Sequence, residues 1–141
     1  RAEMVPDKDN RITLGNERDA LGLRRIHVTI KYGSKDLHTL VKSTEAVIQN
    51  LSAQGLGRGK IVLADDLKWS DDTGVGCHHM GGTRMSAHPR DGVVDRDCKV
   101  HDLNNLYLAG SSVFATSGYA NPTLTLVALA IRLSDHLRSI L

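Results

Sequence analysis

Residues Leu106 to Leu137, LYLAGSSVFATSGYANPTLTLVALAIRLSDHL, decide the reading of this chain, together with the upstream piece Cys77-His78-His79-Met80-Gly81-Gly82-Thr83. Leu106 to Ala109 reads as a buried strand that ends on Gly110-Ser111. A small-residue loop follows, and then a helix opened by Asn121-Pro122. The Asn121 side chain is expected to cap the first turn, while Pro122 brings a preset φ and no surplus donor. Thr123 to Ile131 is apolar or small on every face apart from two threonines, so the helix is expected to be buried and its N-terminus to lie inside the protein. Free N–H groups and the positive end of the helix dipole favour a negative group there by roughly 0.3 to 2 kcal/mol. That suits a phosphate, or a flavin that becomes an anion when reduced.

The length, 141 residues, is that of one domain or a piece of one, and 40% apolar with 4% aromatic residues makes its core aliphatic. The formal charge of +2 comes from 18 basic and 16 acidic residues that are interspersed. No basic run suggests a nucleic-acid footprint, so neither nucleic acid nor an acidic partner is implied. Two cysteines, Cys77 and Cys98, allow one disulfide at most and do not make a secreted scaffold, which leans toward a reducing compartment such as the cytoplasm. There is no signal-peptide pattern and no apolar stretch of membrane-spanning length. The chain opens on Arg1, and the expectation is a piece excised from a longer protein.

Outward from the deciding stretch, two halves differ in composition, with a soft boundary near residue 72 that divides 1–72 from 73–141. In the first half, Arg11 to Leu14 is a short strand candidate bounded by Gly15-Asn16. After a turn containing Gly22, Ile26, Val28, Ile30 and Tyr32 alternate with Arg25, His27, Thr29 and Lys31, the period of a half-buried antiparallel strand with a solvated His27. From Ser34 the apolar residues recur at three and four positions, from Leu37 to Leu51. This predicts an amphipathic surface helix with Ser34 at its N-cap and Gly55 at C′. Gly55, Gly57 and Gly59 follow a helix instead of preceding one, so they read as a connection and not as a phosphate loop. Asp65, Asp66, Asp71 and Asp72 surround Trp69 without EF-hand spacing, which favours a solvated link over a calcium site. In the second half glycine and histidine crowd residues 74–88. Short strands are expected within 93–101, and Asn104-Asn105 marks a turn.

Adjacent side chains on an extended backbone point to opposite sides, so only one of His78 and His79 is expected to face a small pocket. Histidine suits general acid or base work near neutral pH, and Gly81 and Gly82 let backbone approach a flat cofactor closely. Two other readings compete. Cys77, His78, His79, His88, Cys98 and His101 form a dense set of candidate zinc ligands without the paired CxxC spacing or an HxxxH pair. Ser111 or Ser112 as a hydrolase nucleophile lacks the second glycine of a G-x-S-x-G elbow.

Taken together, His78-His79-Met80-Gly81-Gly82-Thr83-Arg84-Met85, Gly92-Val93-Val94-Asp95, Asn105-Leu106-Tyr107-Leu108-Ala109-Gly110-Ser111 and Asn121-Pro122-Thr123-Leu124-Thr125 resemble the C-terminal part of the glucose-methanol-choline (GMC) flavoprotein oxidoreductases, in the order and at the spacing of that family. The resemblance is specific over roughly 74–138, and Asn10 to Leu14 is similar to a substrate-domain strand of the same family. It implies a mixed α/β (α+β) fragment: antiparallel substrate-domain strands in 1–72, then an active-site histidine segment and the last strand and helix of an FAD-binding domain in 73–141. It further implies oxidation of an alcohol or sugar hydroxyl with hydride passing to flavin N5. In the family pattern H-x-x-G-[GT], the active histidine stands three residues before the first glycine, which selects His78 as the base. Asn121 takes the second position, against the substrate oxygen. Gly110 and Ser111 would approach the FAD dinucleotide, and the backbone of Ala120, Asn121, Pro122 and Thr123 would face the flavin pyrimidine. An acidic residue often precedes that glycine in the family, but here it is Ala109. The dinucleotide fingerprint of the family is absent from this sequence, so the missing N-terminal FAD-binding portion is an implied partner and the piece alone is expected to be inactive. A non-catalytic domain that binds a partner is the alternative.

Overall fold

In the computed structural model, which describes residues 2–62, 69, 74, 76 and 78–141, the first regular element is an antiparallel hairpin. Strand β1 (Arg11–Arg18) pairs with β2 (Arg24–Thr29), with Ile12 opposite Val28 and Leu14 opposite Ile26. Gly22 takes a left-handed φ of 78° in the turn, where the Asp19 carboxylate accepts the N–H groups of Leu21 and Leu23, both at 2.9 Å. The first strand does not stop at Gly15-Asn16. It continues past a register irregularity after Leu14, where the Arg24 guanidinium donates to the carbonyls of Leu14 and Gly15. That side chain occupies acceptors which the slipped ladder leaves open. His27 is exposed, as its place on the polar face suggests.

Helix α1 (Ser34–Ala53) starts one residue earlier than its expected cap, since Gly33 and not Ser34 holds that position. The buried Asp36 carboxylate accepts the N–H of Gly33 at 2.7 Å and, from the preceding segment, that of Val5 at 2.6 Å. One side chain thus closes the helix start and ties residues 2–5 to it. The end follows the glycine: Gly55 has φ 71°, its N–H reaches the Ser52 carbonyl and that of Leu56 reaches Leu51, the paired bonds of a Schellman motif. Leu37, Leu40, Val41 and Ile48 are half-buried, and Val47 and Leu51 are exposed.

The core lies in the second half. Val94 is fully buried between two bridges, parallel to Met85 and antiparallel to Val100. Residues Asp95 to Lys99 turn the chain through a three-residue loop: Asp95 N–H bonds the Lys99 carbonyl, and Cys98 N–H bonds that of Asp95. Cys98 takes the left-handed φ of 65° that glycine usually fills in such a bulge. Asp95 Oδ1 offsets part of that strain by accepting the N–H groups of Asp97 and Lys99. The expected strands within 93–101 are therefore single bridges about this turn. The expected strand at Leu106–Ala109 is likewise reduced to one antiparallel bridge, Tyr107 with Lys99. Among the described residues it has one neighbour only, and a buried strand needs pairing on both sides.

Helix α2 (Thr123–Ile140) packs Leu126, Leu129, Leu133 and Leu137 onto the cluster of Val94, Cys98, Val113 and Phe114. It is not buried all round. Leu124, Val127 and Ile131 line the opposite face and are exposed. The Arg132 guanidinium reaches over the Cys98 turn to the Arg96 carbonyl, which fixes the rotation of the helix about its axis. The hairpin is exposed too: Ile12, Leu14, Ile26 and Val28 share one face in place of the half-buried sheet expected. No described helix is long and apolar enough to cross a membrane.

Leu133→Ala removes the one buried α2 side chain at the centre of this cluster, and a loss of about 2–5 kcal/mol is expected in urea unfolding of the chain. A Cβ at Gly92 would lie 2.5 Å from the Arg84 carbonyl oxygen. Gly92→Ala should therefore cost about 1–3 kcal/mol in the same measurement, with most of the loss coming from strain.

Candidate functional site

The histidine segment owes its path to two glycines. Gly81 has φ 78°, and a Cβ there would stand 3.3 Å from the Phe114 carbonyl oxygen, so the position requires glycine on grounds of both conformation and space. That close approach lets residues 79–85 run along residues 111–113. The N–H groups of Gly81, Thr83 and Met85 donate to the carbonyls of Ser111, Ser112 and Val113 at 3.3, 2.9 and 2.8 Å. Two hydroxyls add to this ladder: Ser111 Oγ donates to the His79 carbonyl at 3.4 Å, and Thr83 Oγ1 donates to Ser112 Oγ at 2.8 Å. Met80 packs against the core, while His78 and His79 are both exposed. A Cβ at Gly82 would lie 3.6 Å from Ile12 Cδ1, so the hairpin borders the same segment.

Gly110 takes φ 122° and leads into a single 3-10 turn, Ser111–Val113. A Cβ on Gly110 would meet open space, so the backbone here is approachable from outside. Beyond Phe114 the loop is tied back by Ser117 N–H to the Glu3 carboxylate at 2.6 Å. Ala120, Asn121 and Thr123 are exposed and Pro122 is half-buried. Asn121 is not the cap of α2. Pro122 holds that position in the αR region, and among the described residues no side chain accepts from the first N–H groups of the helix. The helix start therefore faces outward, contrary to the interior position expected from its apolar sequence.

Of the expected site residues, the fold brings the histidine segment against Ser111, next to Gly110. It makes no hydrogen bond between the side chains of His78 and Asn121 among the described residues. Sequence reasoning gave Thr83 no role of its own and weighed Ser112 only as a hydrolase nucleophile, whereas their hydroxyl contact joins two segments 29 positions apart. The threonine lay inside the motif, but nothing in the pattern named its acceptor. A second feature unseen in the sequence is an open groove of about 710 Å³ between the 85–87, 95–96 and 113–116 segments and α2, with Met85, Phe114 and Leu129 among its lining residues. It contains neither His78 nor Asn121.

The competing readings fare differently. The Ser111 and Ser112 hydroxyls bond a carbonyl and a hydroxyl, and no described imidazole activates either one, which removes the hydrolase reading. Among the described residues no three His, Cys, Asp or Glu side chains gather to hold a metal ion. Cys98 is a free, buried thiol, and Cys77 lies outside the described residues, as do Asp65, Asp66, Asp71 and Asp72.

The chain has relatives of known activity. It is 33% identical to the fructose dehydrogenase large subunit of Gluconobacter japonicus, over 94% of this chain and 23% of that protein. It is 29% identical to a 2-methyl-1,2-propanediol dehydrogenase of Mycolicibacterium austroafricanum, over 96% of this chain and 24% of that one. A 6'''-hydroxyparomomycin C oxidase of Streptomyces lividus is also 29% identical, over 95% and 23%. The chain thus spans about a quarter of the length of the curated relatives it matches. Residues 6–130 match the C-terminal model of the GMC oxidoreductases, and with the ladder that holds its histidine motif beside Gly110, the chain belongs to the GMC oxidoreductase family.

Proposed function

We propose that this chain is the C-terminal part of an FAD-dependent enzyme that oxidises an alcohol or sugar hydroxyl, with His78 as general base and Asn121 holding the substrate oxygen. The observation that carries this reading is the hydrogen-bonded ladder between residues 79–85 and 111–113, because it gathers the histidine motif and the Gly110 turn into one surface. The cofactor residues fit the group on two counts. Gly110 offers an open backbone face to the dinucleotide, and the uncapped start of α2 turns free N–H groups outward beside Ala120, Asn121, Pro122 and Thr123. When bound, FAD supplies the hydride acceptor at its N5.

The residues of the chain perform the rest. A hydride departs from an alcohol carbon readily only as the hydroxyl proton is taken, and His78 Nε2 or Nδ1 is the acceptor for that proton. The Asn121 carboxamide donates an N–H to the same oxygen, which fixes the direction of the C–H bond. The N–H groups at the start of α2 favour negative charge by about 0.3–2 kcal/mol, so they would stabilise a cofactor that becomes negative on reduction if it were held there. The relatives are named for fructose, 2-methyl-1,2-propanediol and 6'''-hydroxyparomomycin C, which supports a substrate that bears a hydroxyl. A small alcohol or sugar is accordingly the substrate class, and Leu106–Ala109 would complete the sheet of a separate flavin-binding portion. Division near residue 72 into a substrate-side and a cofactor-side half belongs to the same proposal.

A second reading has support in the exposed apolar faces of the hairpin and α2, which suit a non-catalytic domain that binds a partner. One titration separates the two. FAD is added to the chain alone and to the chain mixed with a flavin-binding N-terminal half, while flavin fluorescence and alcohol-dependent bleaching are followed. Bleaching in the mixture alone is expected. Its absence from both overturns the enzyme reading in favour of the binding one. In the complete enzyme, His78→Ala should slow flavin reduction about 10²-fold or more in stopped flow, as loss of a general base does. An unchanged rate would take His78 out of the mechanism.

A further inference from the structure

The histidine segment carries a mechanical weakness beside its function. Two consecutive glycines, Gly81 and Gly82, stand between His78 and the well-packed Met85, and His78 itself is exposed. Glycine at 81 is imposed by φ and by the Phe114 carbonyl, so the close approach comes with a backbone that is intrinsically loose. Directly after the pair, Thr83 is held at two points by a single residue: its N–H bonds the Ser112 carbonyl at 2.9 Å and its Oγ1 bonds the Ser112 hydroxyl at 2.8 Å. The backbone bond can be made by almost any residue, whereas the hydroxyl contact is a side-chain anchor that sets the register of Thr83 against Ser112. From Ser111, next in the chain, the Gly81 N–H bond and the hydroxyl bond to the His79 carbonyl carry that placement across the two glycines toward His78.

We infer that the Thr83–Ser112 hydroxyl pair is a positioning device for His78, locking the orientation of the glycine-loosened segment so that the imidazole is presented at a fixed place beside the Gly110 turn. This rests on the reading of His78 as the base. Both hydroxyls are half-buried, so the bond does not compete on equal terms with bulk water. Displacement of a catalytic group by as little as 1 Å lowers rates by about 10²-fold, so partial loosening is expected to cost about 10-fold. Thr83 and Ser112 touch neither substrate nor cofactor in this scheme and act only through the histidine.

The test is a double-mutant cycle in the complete enzyme, read as the rate of flavin reduction at saturating alcohol together with KM. Thr83→Val keeps the shape and removes the hydroxyl. It should reduce the rate about 10-fold with KM within about twofold, and Thr83→Ser should restore most of the loss. With His78→Ala already present, Thr83→Val should cause no further slowing, because the group it positions has gone. Equal slowing in both backgrounds, an unchanged rate, or an effect on KM alone overturns the positioning role. Should Thr83→Val fail to fold, Ser112→Ala removes the acceptor of the same bond and is read in the same cycle. A wild-type enzyme that shows no alcohol-driven bleaching defeats the underlying reading instead, an outcome distinct from additivity in an active one.

Discussion

The close passage of one backbone past another, residues 79–85 along 111–113, is the constraint on which the second half of the chain depends. It requires a left-handed glycine at 81 facing the Phe114 carbonyl, and it is repeated one layer away by Gly92 against the Arg84 carbonyl. Residues 84–86 are thereby pinned on two sides: Met85 donates to Val113, while the Arg84 carbonyl accepts from Val93 and Ser86 N–H reaches the Val94 carbonyl. Val94 is buried because this sandwich of segments closes over it, not because it belongs to a long strand. A core made this way is held by backbone geometry as much as by apolar area, which accounts for a stable arrangement with so few residues in regular structure.

How far the sequence foretold this depends on whether a signal was local. The Schellman end of α1 was legible because Gly55 acts through its own φ and its neighbours' N–H groups. The hairpin was legible for a similar reason, with alternation and the Gly22 turn both contained within twenty residues. The start of α1 was misplaced by one position because Asp36, three residues inside, accepts the Gly33 N–H and so closes the helix at Gly33, one residue before Ser34. Failures grow with distance. Leu106–Ala109 has the composition of a buried strand, but a strand is defined by its neighbours, and among the described residues the Lys99 segment alone pairs with it. The apolar character of α2 was read correctly and its burial was not, since composition says what a helix can bury and not what arrives to cover it.

The site was legible as a set of motifs and only partly as geometry. H-x-x-G marks the place where glycine must sit, and the structure supplies the reason in the Phe114 carbonyl. Asn121 shows the limit of the same method. An Asn-Pro pair before a helix fits a cap so well that a local rule assigns the side chain there, yet Asn121 is exposed and Pro122 takes the cap position, so a local pattern that fits a cap does not decide which residue occupies it.

The two exposed apolar faces carry the same lesson at a larger scale. Ile12, Leu14, Ile26 and Val28 align by cross-strand pairing, and Leu124, Val127 and Ile131 align by helical spacing, so each face is a coherent stripe and not a scatter of single residues. At about 25 cal/mol per Å² of apolar surface, leaving two such stripes in water forgoes several kcal/mol, a sizeable share of the stability of a chain this small. The buried cluster, in contrast, is made of Val94, Cys98, Val113, Phe114 and Leu133, none of them in either stripe. Helix α2 carries a face of each kind, whereas the hairpin stripe is remote in sequence from the buried cluster. The histidine segment runs with Ile12 of the hairpin on one side and the Ser111–Val113 turn on the other, so that a core-packed segment and an outward apolar face meet along it.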